Sequence, residues 1–179
     1  PFYKVARISL FALSIVNLIL MMFGLYISPP SLYAGSATEF SSYLHNAKYA
    51  NISLTEDIDM ANVAWSPSAF YGRIDGGGHT VKKLSAEMIF TNLSGNVENL
   101  TVVFSDYDGE EFYGIAKTLN GEIKNCHVVA NVYLQGEGTF GGMVGELADG
   151  EISNSTATIE IDIRGKVTFG ALVGRMNEE

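Results

Sequence analysis

Three stretches of this chain can be laid over one another residue for residue, and that repetition limits the possible folds more than any other feature. The first runs Ile89 to Val103 through Gly95 and Asn99, the second Ile115 to Val129 through Gly121 and Asn125, and the third Val144 to Thr158 through Gly150 and Asn154. The glycines and the asparagines recur at the same intervals, 26 and 29 residues. A further unit opens at Phe169-Gly-Ala-Leu-Val-Gly174, 29 residues after Phe140-Gly-Gly-Met-Val-Gly145. Periods of this size with strand-like alternation mean stacked coils, each unable to bury its apolar side chains alone. Leu93, Val97, Leu100 and their equivalents are the expected inward residues. Coils stacked roughly 4.8 Å apart set like on like. The recurring glycines suit corners where φ is positive or backbones crowd. Asn99, Asn125 and Asn154 are expected to form an inward ladder, each amide bonding the next and so staying satisfied when buried.

The string Gly141-Gly-Met-Val-Gly145 followed by Gly150-Glu-Ile-Ser-Asn-Ser155 resembles the GLUG repeat. Asp57-Ile-Asp59, Trp65-Ser-Pro67 and Phe70-Tyr-Gly-Arg-Ile-Asp75-Gly-Gly-Gly-His-Thr-Val81 look like the lead-in that opens such arrays. The resemblance extends from about Leu54 to the C-terminus. Ile115-Ala replaces Gly-Gly in one unit, and Ala171 replaces a glycine in the last. The resemblance implies an all-β, right-handed parallel β-helix (solenoid) of the pectin-lyase-like type, found in bacterial surface adhesins and in N-terminal regions of secreted proteases.

Ahead of the repeats, Tyr49–Met60 alternates with Ile52, Leu54, Ile58 and Met60 at even spacing, which predicts a half-buried strand. Before that, Phe40, Tyr43, Leu44 and Ala47 fall at i, i+3, i+4, i+7, one face of a short amphipathic helix with Thr38 as its expected N-cap. Its expected role is to cap the open end of the coils. Residues 29–37, opened by the helix-stopping Pro29-Pro30, read as a linker, and residues 38–179 as the β-helix domain.

From Ile8 to Ser28 the chain carries no charge across 21 residues, with Asn17 as its one strongly polar side chain. As a helix this run is roughly 30 Å long, the hydrocarbon thickness of a bilayer. Lys4 and Arg7 precede it and no basic residue follows until Lys48, which predicts residues 1–7 in the cytoplasm and everything after Pro29 outside. A signal peptide cleaved near Ala34-Gly-Ser-Ala37 is the rival reading, but the run exceeds the ~7–15 residues of a signal core. A buried core helix would normally show a polar stripe. The expectation is therefore a single-pass membrane protein whose transmembrane α-helix spans 8–28 and whose β-helix is extracytoplasmic. Of 20 acidic and 11 basic residues, only the bases Lys4 and Arg7 precede the run, so the remainder is strongly negative. Nucleic acid is excluded as a partner, because phosphate binding needs clustered cations.

Catalytic chemistry finds little support. Cys126 is the single cysteine, which excludes an intrachain disulfide and a cysteine-rich metal site. Asp75-Gly-Gly-Gly-His79 places a carboxylate near an imidazole, yet reads as a glycine turn in which Asp75 bonds its own backbone. Asp57/Asp59 and Asp106/Asp108, at i, i+2 spacing, have the chemistry of glycosidase acids or calcium ligands. Acids in turns with no third ligand nearby are commonly just solvated, and none of Arg73, Arg164 and Arg175 neighbours either pair. His45, His79 and His127 are scattered, and no zinc-protease, hydrolase-elbow or phosphate-loop motif occurs. Asn51, Asn92, Asn99 and Asn154 fit the glycosylation pattern, the last two as repeat residues. No catalytic residue, metal or cofactor is expected.

These features converge on a membrane-anchored cell-surface module for binding or adhesion, or the stalk of one, with an extracellular glycan or protein as its ligand. Two alternatives remain open. One is an accessory structural subunit of a large membrane complex, with Ala12, Ser14, Asn17 and Gly24 packing on neighbouring transmembrane helices. The other is the N-terminal part of a secreted protease or carbohydrate-active enzyme. The repeat stops in mid-unit at Glu179, leaving a strand edge expected to be covered by further chain or a partner.

Overall fold

The computed structural model describes residues 28–176; residues 1–27 and 177–179 lie outside it, and with them the expected cytoplasmic N-terminus and nearly all of the expected membrane span. Among the described residues no helix is long and apolar enough to cross a membrane.

The chain winds through five coils, each giving one strand to each of three parallel sheets. The first sheet stacks β1 (Ser31–Ala34), β2 (Asn51–Leu54), β5 (Arg73–Asp75), β8 (Asn96–Glu98), β12 (Glu122–Lys124) and β15 (Glu151–Ser153). The second stacks β3 (Ile58–Asp59), β6 (Thr80–Leu84), β9 (Thr101–Phe104), β13 (His127–Gly141) and β16 (Thr156–Gly170), with β10 (Tyr107–Gly109) also paired to β13. The third stacks β4 (Ser68–Phe70), β7 (Met88–Leu93), β11 (Gly114–Leu119), β14 (Val144–Leu147) and β17 (Val173–Met176). The fold is thus an all-β parallel solenoid with one short helix.

Register explains the apolar pattern. Ile52, Ile74, Val97, Ile123 and Ile152 pair in one column. Val81, Val102, Val128 and Ala157 form a second, and Phe70, Leu93, Leu119 and Leu147 a third. All but Ile152, Ala157 and Leu147 are buried. Each fully buried Val, Leu, Ile or Phe contributes about 1.5–3 kcal/mol relative to exposure. Phenylalanines continue the stacking, with Phe70 over Phe90 at 5.5 Å and Phe112 over Phe140 at 6.0 Å.

The short strands reflect tight corners. Ile52, Leu54, Ile58 and Met60 are all buried, but a bend at 55–57 splits the expected single strand into β2 and β3. Gly95 and Gly121 need to be glycine because backbones crowd. A Cβ on either would lie 1.9 Å from the carbonyl oxygen one coil back, that of Gly72 or Gly95. Positive φ falls instead on the asparagines: 54° at Asn99, 52° at Asn125 and 47° at Asn154. Asparagine is among the few residues with a Cβ that tolerate this region.

Three further expectations need correction. Ser31–Ala34, inside the stretch read as a linker, is strand β1, paired in parallel register with β2 from Ser31–Asn51 to Ala34–Leu54. The edge of β2 offers unpaired backbone groups, and β1 satisfies them while Ala34 packs inward. The helix α1 spans Ala37–Asn46 and is capped by Ser36, not Thr38. Ser36 Oγ accepts from Glu39 N at 3.3 Å and donates to the Glu39 carboxylate, which also accepts from Gly35 N, a variant of the capping box that reaches the amide before the cap. Lastly, the asparagine ladder does not point inward. Asn99 is half-buried while Asn125 and Asn154 are exposed, because the left-handed corner turns each amide outside the coil.

The helix α1 lies across the first coil, contacting β1, β3 and β4. Phe40 and Leu44 are buried in the core, Tyr43 and Ala47 pack beside them, and Phe40 stacks on Trp65 at 6.1 Å. At the opposite end, Ile152, Ala157, Ile159, Ile161 and Val167 of the last coil are only partly buried.

Candidate functional site

The second sheet turns a broad polar face outward, and β13 and β16 extend it, paired in register over their full 15 residues. Alternation builds the face. In Asn131-Val-Tyr-Leu-Gln135, Val132 and Leu134 are buried, so Asn131, Tyr133 and Gln135 project outward. In Glu160-Ile-Asp-Ile-Arg164, Glu160, Asp162 and Arg164 do the same, directly opposite them. On the other side β10 sets Asp108 opposite Tyr133.

Tyr133 therefore stands between Asp108 and Asp162 and is 48% exposed. Planar polar groups surround the ring. Asn131 Nδ2 donates to Asp106 Oδ1 at 3.0 Å, and Gln135 Nε2 donates to Asp108 Oδ1 at 2.7 Å. An Arg164 guanidinium nitrogen lies 3.6 Å from Asp162 Oδ2. Two shallow depressions share Tyr133 and Asp162. One, of about 200 Å³, is lined by Asn131, Tyr133, Glu160 and Asp162; the other, of about 190 Å³, by Asp108, Tyr133, Gln135 and Arg164. Each is smaller than the ~300–1,000 Å³ of sites that engulf a small molecule. Joined end to end, they suit an extended ligand lying on the surface.

Asp106 and Asp108 stand out in the sequence as a pair, but their partners on this face do not. A signal was present: Asn131/Glu160, Tyr133/Asp162 and Gln135/Arg164 are each 29 residues apart, the interval of the repeat itself.

The remaining candidates lie away from the Tyr133 cluster, although Asp59 and His127 stand on β3 and β13 of the same sheet. Asp57 Oδ1 accepts from Thr80 N at 2.9 Å and lies 3.6 Å from His79 Nδ1. Asp59 is held by Lys83 at 2.8 Å and Ala61 N at 3.1 Å, first the lysine and then the amide keeping its carboxyl below the usual range. Asp75 Oδ1 accepts from Gly77 N at 3.0 Å, closing the glycine turn, in which Gly77 and Gly78 have φ of 60° and 84°. His45 spans Ser41 O and Ser66 O, and His127 Nδ1 lies 2.6 Å from Thr156 Oγ1. Among the described residues, no three His, Cys, Asp or Glu side chains converge as a metal site. Cys126 occupies the Leu100 position of its coil and is buried. Burial pushes its thiol up to about 11, so it is a packing residue and not a nucleophile.

The repeat asparagines form their own corner. Asn125 Nδ2 donates to Asn99 Oδ1 at 2.7 Å, and Asn99 Nδ2 donates to Asp75 Oδ1 at 3.1 Å. The Asn99 amide, and then the Gly77 N–H, hold the Asp75 carboxyl below the usual carboxylate range. Asn154 occupies the same corner one coil further on, its backbone again at positive φ. Gly95, Gly121 and Gly150 line another corner, where a Cβ on Gly150 would meet Leu119 Cγ at 2.6 Å.

Set against known proteins, the chain matches no protein-family model, no curated protein and no solved structure.

Proposed function

We propose that this protein is a membrane-anchored, extracytoplasmic binding or adhesion module, and that its ligand is an extended glycan lying across the outer face of the second sheet. The observation that carries the reading is Tyr133: an aromatic ring left 48% exposed among carboxylates, amides and a guanidinium on a flat face. Sugar rings present an apolar face that stacks on an aromatic ring and a rim of hydroxyls that bond to planar polar groups. Stacking supplies affinity and the rim sets orientation. Asp108, Tyr133 and Asp162 line up across three neighbouring strands, so the polar groups continue on both sides of the ring, as an extended ligand requires.

The module performs no catalysis of its own in this reading. Asp106, Asp108, Asp59 and Asp57 each accept from a neighbouring amide, lysine or backbone N–H, which supports a structural role for the paired acids. The coil architecture and the Gly141–Ser155 string support assignment to the GLUG-repeat, right-handed β-helix type. The uncharged run 8–28 supports a single membrane anchor with the coils outside.

The test is binding of the full chain to immobilised neutral, acidic and amino-sugar polysaccharides. Tyr133→Ala should weaken the preferred one about tenfold, roughly 1.4 kcal/mol and within the range of an aromatic contact. Equal binding by wild type and variant to every polysaccharide would sink the proposal.

A further inference from the structure

We propose that the N-terminal end of the solenoid rests on the bilayer surface, with Tyr33, Tyr49 and Tyr71 seated among the lipid headgroups. This inference rests on the reading of residues 8–28 as a membrane anchor.

Tyr33, Tyr49 and Tyr71 are 65%, 68% and 44% exposed. Among the described residues, the other strongly exposed large apolar side chains are Tyr133 on the glycan face and Ile163, Phe169, Leu172 and Met176 in the last coil. Among large side chains, the first coils therefore expose tyrosine and no aliphatic residue. Tyrosine, with an apolar ring and a hydrogen-bonding tip, is the side chain favoured at membrane–water interfaces. The three belong to successive rungs, those of β1, β2 and β5, and so span about 10 Å of the axis. Tyr49 and Tyr71 stack at 5.0 Å with their planes 16° apart, a preformed pair on one corner.

The backbone places that corner beside the emerging anchor. Asn51 N donates to Pro30 O at 2.9 Å, and Tyr71 N to Lys48 O at 2.9 Å. Continuing the parallel register of β1 and β2 backward sets Tyr49 level with Pro29, one residue past the apolar run. Tyr33 is five residues past the run and cannot lie more than about 17 Å from its end.

Charge is polarised to match. Residues 28–84 carry five carboxylates against four lysines and arginines, whereas residues 85–176 carry thirteen against five. The near end is almost neutral and the far end strongly negative, so a leaflet bearing anionic lipid tolerates the first and repels the second. The helix α1 covering the near end exposes Thr38, Ser42 and Asn46, a hydrogen-bonding strip with a single carboxylate, Glu39, beside it, suited to headgroups and not to the hydrocarbon core. With this end seated, the solenoid stands away from the membrane and the Tyr133 face lies on its flank.

The test uses the full chain reconstituted in phosphatidylcholine vesicles, with Trp65→Phe to remove the single native tryptophan. Tyr33→Trp, Tyr49→Trp or Tyr133→Trp then serves as reporter. A lipid with a nitroxide on its headgroup should quench the reporters at 33 and 49 roughly twofold or more above that at 133, and aqueous iodide should show the reverse order. Equal quenching of all three by both agents, in chain that resists carbonate extraction, overturns the seated end while leaving the anchor intact. Chain that washes out in carbonate overturns the anchor, and this inference with it.

Discussion

The corner asparagines show how one residue type can meet two demands. At φ of 54° and 52°, Asn99 and Asn125 occupy a region that costs most side chains roughly 1–2 kcal/mol, and their amides also bond along the axis. The two demands can be separated. Asn125→Gly keeps the backbone conformation and loses a hydrogen bond, a cost of about 1 kcal/mol. Asn125→Ala loses both and should cost about 1 kcal/mol more, measured by urea denaturation. If the two variants are equally stable, the backbone argument fails. Asp75 closes the same row and titrates. Its folded pKa lies below the ordinary 3.8, so its stabilisation is complete above that value and fades as pH falls through the lowered one. Asp75→Asn should therefore leave stability at pH 7 within about 1 kcal/mol of wild type and flatten the loss below pH ~4, read from melts across that range. The positions of these asparagines were legible in the repeat, but their direction was not. A repeat fixes which residues stack and is silent on whether a corner faces in or out, which depends on the sign of φ.

Where an element begins is decided by groups a pattern does not record. The apolar spacing of Phe40, Tyr43, Leu44 and Ala47 located α1, yet its start at Ser36 was set by a box with Glu39 three residues on. Strand β1 was hidden for a similar reason: four residues flanked by proline and glycine are too short to show alternation, and only the open edge of β2 makes them a strand. The helix stabilises the fold mainly as a plug. Phe40→Ala should cost about 3–5 kcal/mol, since a ring of 1% exposure leaves a cavity under Trp65, while Ser36→Ala should cost about 1 kcal/mol. In hydrogen exchange, the Phe40 variant should lose protection first in β2, β3 and β4, the coil it covers. Uniform loss across all five coils would mean that α1 is not a local cap.

The solenoid as a whole was the most legible level and the candidate face the least. Three aligned segments were enough to imply stacked coils, because stacking is a property of the repeat. The Tyr133 face is a property of neighbouring coils, and its residues fall between the recurring glycines and asparagines, where the 29-residue interval alone, and no motif, marks them. The same nearest-neighbour logic governs stability, since each coil is held only by the coils above and below it. Leu134 and Ile163 are paired in register, one coil apart, with 0% and 39% exposure. Leu134→Ala removes side-chain volume from between two coils and should cost about 3 kcal/mol; Ile163→Ala, with a coil on one side, should cost less than about 1 kcal/mol. Denaturant midpoints measure the difference, and hydrogen exchange should show protection falling from β13 to β16 along the same columns. A protein that instead lost both variants' stability equally would be unfolding as one indivisible core, and its coils could not be treated as separate rungs carrying separate faces.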